Sequence, residues 1–221
     1  MTFNPRRATV LVLVLIVPAA AQQSTQPRVV IDENQWVVFY DVPSRRFGNI
    51  RTSFIQRRFD AAAADLNTSA TYLAIEAARS RPAIGARLGD VADELWAAAE
   101  NIDSETLTVA HLDALFGKAH WLLAQHYLYH AKRLRDRQDY GTAGLNLRAT
   151  THHLERAVLW SNARIDRRLH ATLETLRDLA TQMQDPGRAA QAMSEKPVRK
   201  AEALLVELGK AIDRPVVPAP E

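Results

Sequence analysis

The chain has 221 residues, of which 47% are hydrophobic and 24% are charged, so it can build a sizeable core and is too apolar to be wholly disordered. Its 8 Gly and 10 Pro exclude collagen-like and low-complexity classes and argue against a turn-dense β-sandwich. It contains no Cys, which excludes disulfides, thiolate zinc sites, iron–sulfur clusters and thiol catalysis.

The N-terminus has the three parts of a secretory signal peptide. Arg6 and Arg7 precede an aliphatic stretch at residues 8–17, and a run of small residues ends at Ala21. The aliphatic stretch is shorter than the roughly 20 residues that a membrane-spanning helix needs. We therefore expect cleavage after Ala21 and a periplasmic or secreted protein with no later transmembrane span. An uncleaved anchor at residues 1–21 is the alternative.

Cleavage would also change the charge of the protein. It removes two of the 28 Lys and Arg residues and none of the 25 Asp and Glu residues, so the formal net charge falls from +3 to +1. A near-neutral chain lacks the positive field of a nucleic-acid-binding protein, and export separates it from cellular DNA. We expect no nucleic-acid partner.

Residues 22–43 are predicted to be an N-terminal extension with a short β-hairpin. Runs of β-branched and aromatic residues at 29–31 and 36–40 flank the turn-forming residues 32–35, and Pro43 closes the segment. An isolated hairpin is marginally stable in water, so this one would have to pack on the residues that follow it.

Residues 44–213 have the hydrophobic period of α-helices and are predicted to form one helical domain. The predicted helices span residues 45–80, 84–102, 107–136 and 142–184, and a shorter one begins near Pro197. The first has an apolar stripe that includes Ile55, and residues 103–105 offer N-cap side chains for the third.

The short connections between these segments favour an all-α antiparallel bundle of four to five helices. Similar apolar spacing at residues 88–99 and 147–158 leaves a helix-pair solenoid as the alternative. Residues 214–221 are predicted to form an extended Pro-rich tail.

Histidine is the chemically distinctive residue of the helical region. His126 and His130 are four residues apart, so they share one face of the third predicted helix, inside its apolar arc. Two imidazoles at this spacing can bind a divalent metal ion or haem, with His153, or Asp65 and Glu76, as further ligands. The other interpretation is a pair of core histidines that form hydrogen bonds to their neighbours.

Five arginines with no acid between them follow the predicted hairpin. They are Arg45, Arg46, Arg51, Arg57 and Arg58. Together with interleaved Phe and Ile residues they can address anionic lipid, lipopolysaccharide or an acidic polymer. The alternative is a solvated helix face whose charges pair with the acidic residues between positions 90 and 105.

The sequence has no Gly-rich phosphate loop, nucleophile elbow or strand–helix alternation, so it favours binding over catalysis. Export and amphipathic helices favour a periplasmic interaction module, without a cofactor, that binds a protein or an envelope component. A stress-related or chaperone-like role belongs to this hypothesis. The alternative is a metal- or haem-binding bundle that uses the histidine pair, and the oligomeric state is left open.

Overall fold

The computed structural model describes residues 41–161, 167–185 and 195–212. These ranges contain seven α-helices and no strand, so the described part of the chain is all-helical, as the hydrophobic period predicts. The helices are α1 (Val42–Ile55), α2 (Phe59–Arg79), α3 (Pro82–Glu100), α4 (Val109–Asp136), α5 (Tyr140–Trp160), α6 (Arg167–Gln184) and α7 (Glu195–Ile212). The predicted signal peptide, the two predicted strands and the Pro-rich tail lie outside the described residues.

The helices pack as a bundle in which α4 contacts α1, α3, α5 and α7. Every residue of α4 from 119 to 124 is buried, which places this helix in the interior. The pairs α1–α2, α2–α3, α5–α6 and α6–α7 also pack against each other. Of the helices within the described ranges, none is both long enough and apolar enough to cross a membrane.

The first predicted helix is in fact two helices, α1 and α2, because the chain turns at Arg57. This residue has a positive φ of 56°, and the N–H of Arg58 donates to the carbonyl oxygen of Ser53 at 2.8 Å. These are the features of a Schellman-type helix end. The prediction that Ile55 lies in the core stripe is therefore wrong: it is 54% exposed, whereas Phe47 of α1 is fully buried.

The predicted helix over residues 142–184 is also two helices, because α5 ends at Trp160 and α6 begins at Arg167. The two helices pack against each other, which two parts of one straight helix cannot do. Gly144 allows the close approach, since a Cβ atom there would lie 2.7 Å from the carbonyl oxygen of Ala180.

Two helices begin at positions that differ from the predicted ones. The first, α1, begins at Val42, with Pro43 in its first turn, where the fixed φ of proline suits a helix. The N-cap of α4 is Thr108, whose side chain accepts a hydrogen bond from the N–H of His111 at 3.1 Å. The predicted cap at residues 103–105 precedes the true helix start by several residues.

Candidate functional site

The three histidines that the sequence singles out belong to two histidine pairs in the bundle. His126 and His130 lie on successive turns of α4, with their ring centroids 4.5 Å apart. His153 of α5 pairs with His120 of α4, and their Nδ1 atoms are 2.9 Å apart. The structure therefore brings His126 and His130 together and gives His153 a partner that the sequence analysis did not select.

His126 is held at both ring nitrogens by the C-terminal end of α2. Its Nε2 atom is 2.9 Å from Oε2 of Glu76, and its Nδ1 atom forms a hydrogen bond with Oγ of Ser80. The other carboxylate oxygen of Glu76 accepts a hydrogen bond from Arg79 at 3.1 Å. Glu76 and His126 are 1% and 3% exposed, whereas Ser80 is half-buried. Both oxygens of the buried carboxylate thus have a donor, as a buried charge requires.

The acidic residues that the sequence offers as metal partners have different surroundings. Glu76 reaches His126, while Asp65 forms an ion pair with Arg46. Within the described ranges, no group of three or more His, Asp or Glu side chains is placed to hold a metal ion. A metal site at His126, His130 and His153 stays a prediction.

His120 and His153 are completely buried between α4, α5 and α1. Burial lowers the pKa of both imidazoles well below the ordinary value. Repulsion between a protonated ring and its neighbours lowers the pKa further, from His152 in the case of His120 and from His120 and His152 in the case of His153. Both rings are therefore neutral, and one Nδ1–H donates to the lone pair of the other. Phe47 lies edge-on to His120, with ring centroids 5.1 Å apart.

Tyr127 lies between the two histidine pairs. Its ring centroid is 5.1 Å from that of His126 and 5.3 Å from that of His153, on which it stacks. Its hydroxyl is 3.0 Å from the hydroxyl of Tyr72. Burial raises the pKa of both phenols, and the negative charge of Glu76 adds to the increase, so both stay protonated at neutral pH. The contacts between these side chains form one polar layer inside the bundle, across α2, α4 and α5. Its members are Tyr72, Glu76, His120, His126, Tyr127 and His153.

His152 connects α5 to the beginning of α1. Its Nε2 atom is 2.7 Å from Oγ of Ser44 and 2.9 Å from Oδ1 of Asp41. Burial lowers the pKa of His152, and the nearby carboxylate of Asp41 acts in the opposite direction. This contact positions the N-terminal turn of α1 and does not form part of either histidine pair.

The five arginines of the predicted anionic-partner patch have two kinds of surroundings in the structure. Three of them form the ion pairs Arg45–Asp41, Arg46–Asp65 and Arg51–Asp113. The carboxylates come from the start of α1, from α2 and from α4, and not from residues 90–105. Arg57 and Arg58 are exposed at the turn between α1 and α2, and neither forms an ion pair within the described part of the chain.

A groove of about 250 Å³ lies between α4 and α7, and we call it the α4–α7 groove. Its apolar part consists of Trp121, Leu128 and Leu205, which are buried, and of Val206, which is 59% exposed. The indole N–H of Trp121 donates to the carbonyl oxygen of Leu205 at 2.7 Å. A Cβ atom at Gly209 would overlap the Trp121 ring. Trp121 therefore fixes the distance between the two helices and the width of the groove.

The polar part of the groove has more cationic than anionic side chains. Lys132 and Glu202 form an ion pair with each other. The guanidinium carbon of Arg81 lies 5.8 Å from the ring centroid of Tyr129, and Arg81 has no carboxylate partner in the described part of the chain. The side-chain nitrogen of Gln125 is buried and has no hydrogen-bond partner there. The groove thus contains a guanidinium and an amide N–H that can both donate hydrogen bonds to an anionic ligand.

The sequence analysis missed both Ser80 and the groove. Glu76 and Ser80 are four residues apart just before Pro82, so their shared helix face was a signal that could have placed them together. The groove has no such signal, because it depends on where α7 meets α4.

Comparison with known proteins gives no further identification: no family model matches the chain, and neither a curated protein nor a solved structure matches it.

Proposed function

We propose that this protein is an exported helical binding module whose α4–α7 groove holds an acidic segment of a partner protein. The observation that carries the proposal is the apolar groove beside Arg81 and Gln125, whose side-chain donors have no acceptor within the described ranges. An apolar side chain of the partner would fill the groove, and a neighbouring carboxylate would satisfy these donors.

The charges around the groove favour an acidic partner. The guanidinium carbons of Arg81 and Arg133 lie 5.8 and 5.7 Å from the ring centroid of Tyr129. Neither arginine forms an ion pair within the described residues, whereas Lys132 and Glu202 neutralise each other. The excess charge is positive, which attracts a carboxylate and repels a basic segment.

The volume of the groove favours a peptide anchor over a large ligand. Pockets for drug-sized molecules measure roughly 300–1,000 Å³. The α4–α7 groove, at about 250 Å³, has room for one or two side chains. The pocket is therefore the size of a hot-spot pocket that receives a single anchoring residue of a partner.

The proposal is tested with a displayed peptide library presented to the immobilised protein that lacks residues 1–21. We expect enrichment of peptides in which a Leu, Ile or Phe stands next to Asp or Glu. The affinity of a selected, synthesised peptide is then measured by fluorescence polarisation. Enrichment of basic peptides, or of none, would contradict the proposal.

Two matched charge-reversal variants test whether the peptide binds in the groove or elsewhere on the surface. The variant Arg81→Glu/Arg133→Glu should bind the peptide about tenfold more weakly, which corresponds to about 1.4 kcal/mol. The variant Arg57→Glu/Arg58→Glu has the same change in charge at the exposed α1–α2 turn and should bind like the wild type. Equal weakening by both variants would show that the groove does not hold the peptide.

Export is the second part of the proposal, and it is supported by the basic residues Arg6 and Arg7, the aliphatic stretch at 8–17 and the small residues before Ala21. Fusion of residues 1–30 to a phosphatase that is active only outside the cytoplasm should give activity. Deletion of residues 8–17 should abolish that activity. An inactive fusion with the intact segment would contradict export.

The alternative function, metal or haem binding by His126, His130 and His153, has its own test. A ligand present at 100 times its dissociation constant stabilises a protein by about 2.7 kcal/mol. Zn²⁺, Cu²⁺ or haem should then raise the melting temperature of the wild type but not of His126→Ala/His130→Ala. The absence of a shift in the wild type would remove this alternative.

A further inference from the structure

Ser80, His126 and Glu76 have the connectivity of a nucleophile, a base and an orienting acid. Oγ of Ser80 lies within hydrogen-bond distance of Nδ1 of His126 and also donates to the carbonyl oxygen of Glu76 at 2.8 Å, and Nε2 of His126 is 2.9 Å from Oε2 of Glu76. The acid and the base are almost completely buried, whereas Ser80, at the end of α2, is half-buried. A serine beside a base that is itself held by a third group is the arrangement that nucleophilic catalysis uses.

The carboxylate determines which nitrogen of His126 can act as the base. A carboxylate accepts hydrogen bonds, so Nε2 of His126 is the nitrogen that donates to Glu76, and Nδ1 is the nitrogen that faces Ser80. Arg79 donates to the other oxygen of Glu76 at 3.1 Å and holds the carboxylate in place. When His126 takes up a proton, its positive charge faces a fixed negative charge.

The helix that follows Ser80 contributes positive electrostatic potential near the hydroxyl. Ser80 is the C-cap of α2, and α3 begins two residues later at Pro82, so the positive end of the α3 dipole follows Ser80 in the chain. A positive potential of this kind stabilises the tetrahedral intermediate of acyl transfer.

We infer that Ser80 is the nucleophile of a site that hydrolyses esters with small acyl groups, independently of binding in the α4–α7 groove. The hydroxyl of Ser80 turns from the carbonyl oxygen of Glu76 to Nδ1 of His126, its oxygen attacks the carbonyl carbon of the ester, and its proton passes to Nδ1. The bond to the leaving alcohol breaks, and the alcohol takes this proton. A water molecule then gives a proton to His126 and attacks the acyl carbon. As the bond between the acyl carbon and Oγ breaks, His126 returns the proton to Oγ, and the carboxylic acid leaves.

The test uses the protein without residues 1–21 and two probes, p-nitrophenyl acetate and a fluorophosphonate. The wild type should release p-nitrophenol catalytically, and mass spectrometry should locate the fluorophosphonate on Ser80. The variant Ser80→Ala should lose both the label and at least about 100-fold of kcat/KM. Glu76→Gln should cause a comparable loss, because an amide that donates to Nε2 of His126 would reverse its tautomer.

A matched control variant distinguishes the catalytic role of Ser80 from its role as a helix C-cap. Ser161 is also a half-buried C-cap, at the end of α5, and its Oγ donates to the carbonyl oxygen of Val158 at 3.3 Å. Ser161→Ala should therefore keep the full activity and the label. Failure of the fluorophosphonate to modify Ser80 in the wild type, or unchanged hydrolysis by a folded Ser80→Ala protein, would overturn the inference. Neither result would affect peptide binding in the groove.

Discussion

The contact between α5 and α6 can be tested by adding one methyl group at Gly144. In Gly144→Ala the new Cβ would lie 2.7 Å from the carbonyl oxygen of Ala180 and 3.2 Å from Cβ of Met183. A carbon atom cannot stay that close to a backbone oxygen, so α6 has to move away from α5. This separation would loosen the buried side chains that the two helices share.

The expected magnitude combines two opposing effects. Overpacking of this kind costs about 1–3 kcal/mol, whereas replacing Gly by Ala inside a helix contributes about 0.5–1 kcal/mol of stability. The difference is a net destabilisation of Gly144→Ala by about 0–2.5 kcal/mol, with a central value of about 1 kcal/mol. Gly89 provides the control, because it lies inside α3 and a Cβ there would meet no atom within 4 Å. Gly89→Ala should be stabilised by about 0.5–1 kcal/mol.

The assay is urea unfolding of the two variants and the wild type, followed by circular dichroism at the helical band. The two variants should shift the midpoint in opposite directions with similar slopes. If Gly144→Ala were stabilised as much as Gly89→Ala, the close approach of α5 and α6 would be refuted. The single long helix that the sequence predicts over residues 142–184 would then be the better description.

Burial and backbone geometry give three further predictions. Leu66→Ala, at a position that is completely buried, should lower the free energy of unfolding by about 2–5 kcal/mol in urea titrations, and a loss below about 1 kcal/mol would contradict the packing. Because burial keeps the pKa of His120 and His153 below that of the unfolded chain, stability should fall as the pH drops below about 6.5, where the unfolded state binds more protons. His120→Leu/His153→Leu should have a flatter profile of stability against pH, and an unchanged profile would refute this cause. Arg57→Gly should raise the melting temperature through a gain of about 0.5–1 kcal/mol, because Gly adopts a φ of 56° without a steric penalty; a lower melting temperature would contradict the turn.

The faces of the helices could be predicted from the sequence, because burial recurs every three to four residues. Leu88, Val91 and Leu95 were placed on one stripe by their spacing, and all three are completely buried in α3. Spacing alone was sufficient here because the segment has clear ends, with Pro82 at the start of the helix.

The helix ends were harder to predict, because two turns lack the usual glycine. Arg57 and Gln138 have positive φ values of 56° and 62° at positions where helix ends commonly use Gly. The break at Arg57 was therefore not predicted, whereas the break at Gln138 falls between the predicted helices over residues 107–136 and 142–184.

Only the part of the candidate site that lies within one helix could be predicted from the sequence. The four-residue spacing correctly indicates that His126 and His130 share a face of α4. The contact of Glu76 with His126 and that of His120 with His153 cross between helices, so they depend on which helix lies beside α4. Periodicity shows which side of a helix is buried, but not which neighbour covers it.

The most direct test of the proposed function is a ¹H–¹⁵N NMR titration of the protein without residues 1–21 with the selected acidic peptide. The account predicts that the side-chain amide of Gln125 and the indole N–H of Trp121 shift with the same dissociation constant, because both groups belong to the α4–α7 groove. Shifts confined to the Arg57–Arg58 turn, or no shift at Gln125 and Trp121 when the peptide saturates the protein, would contradict it.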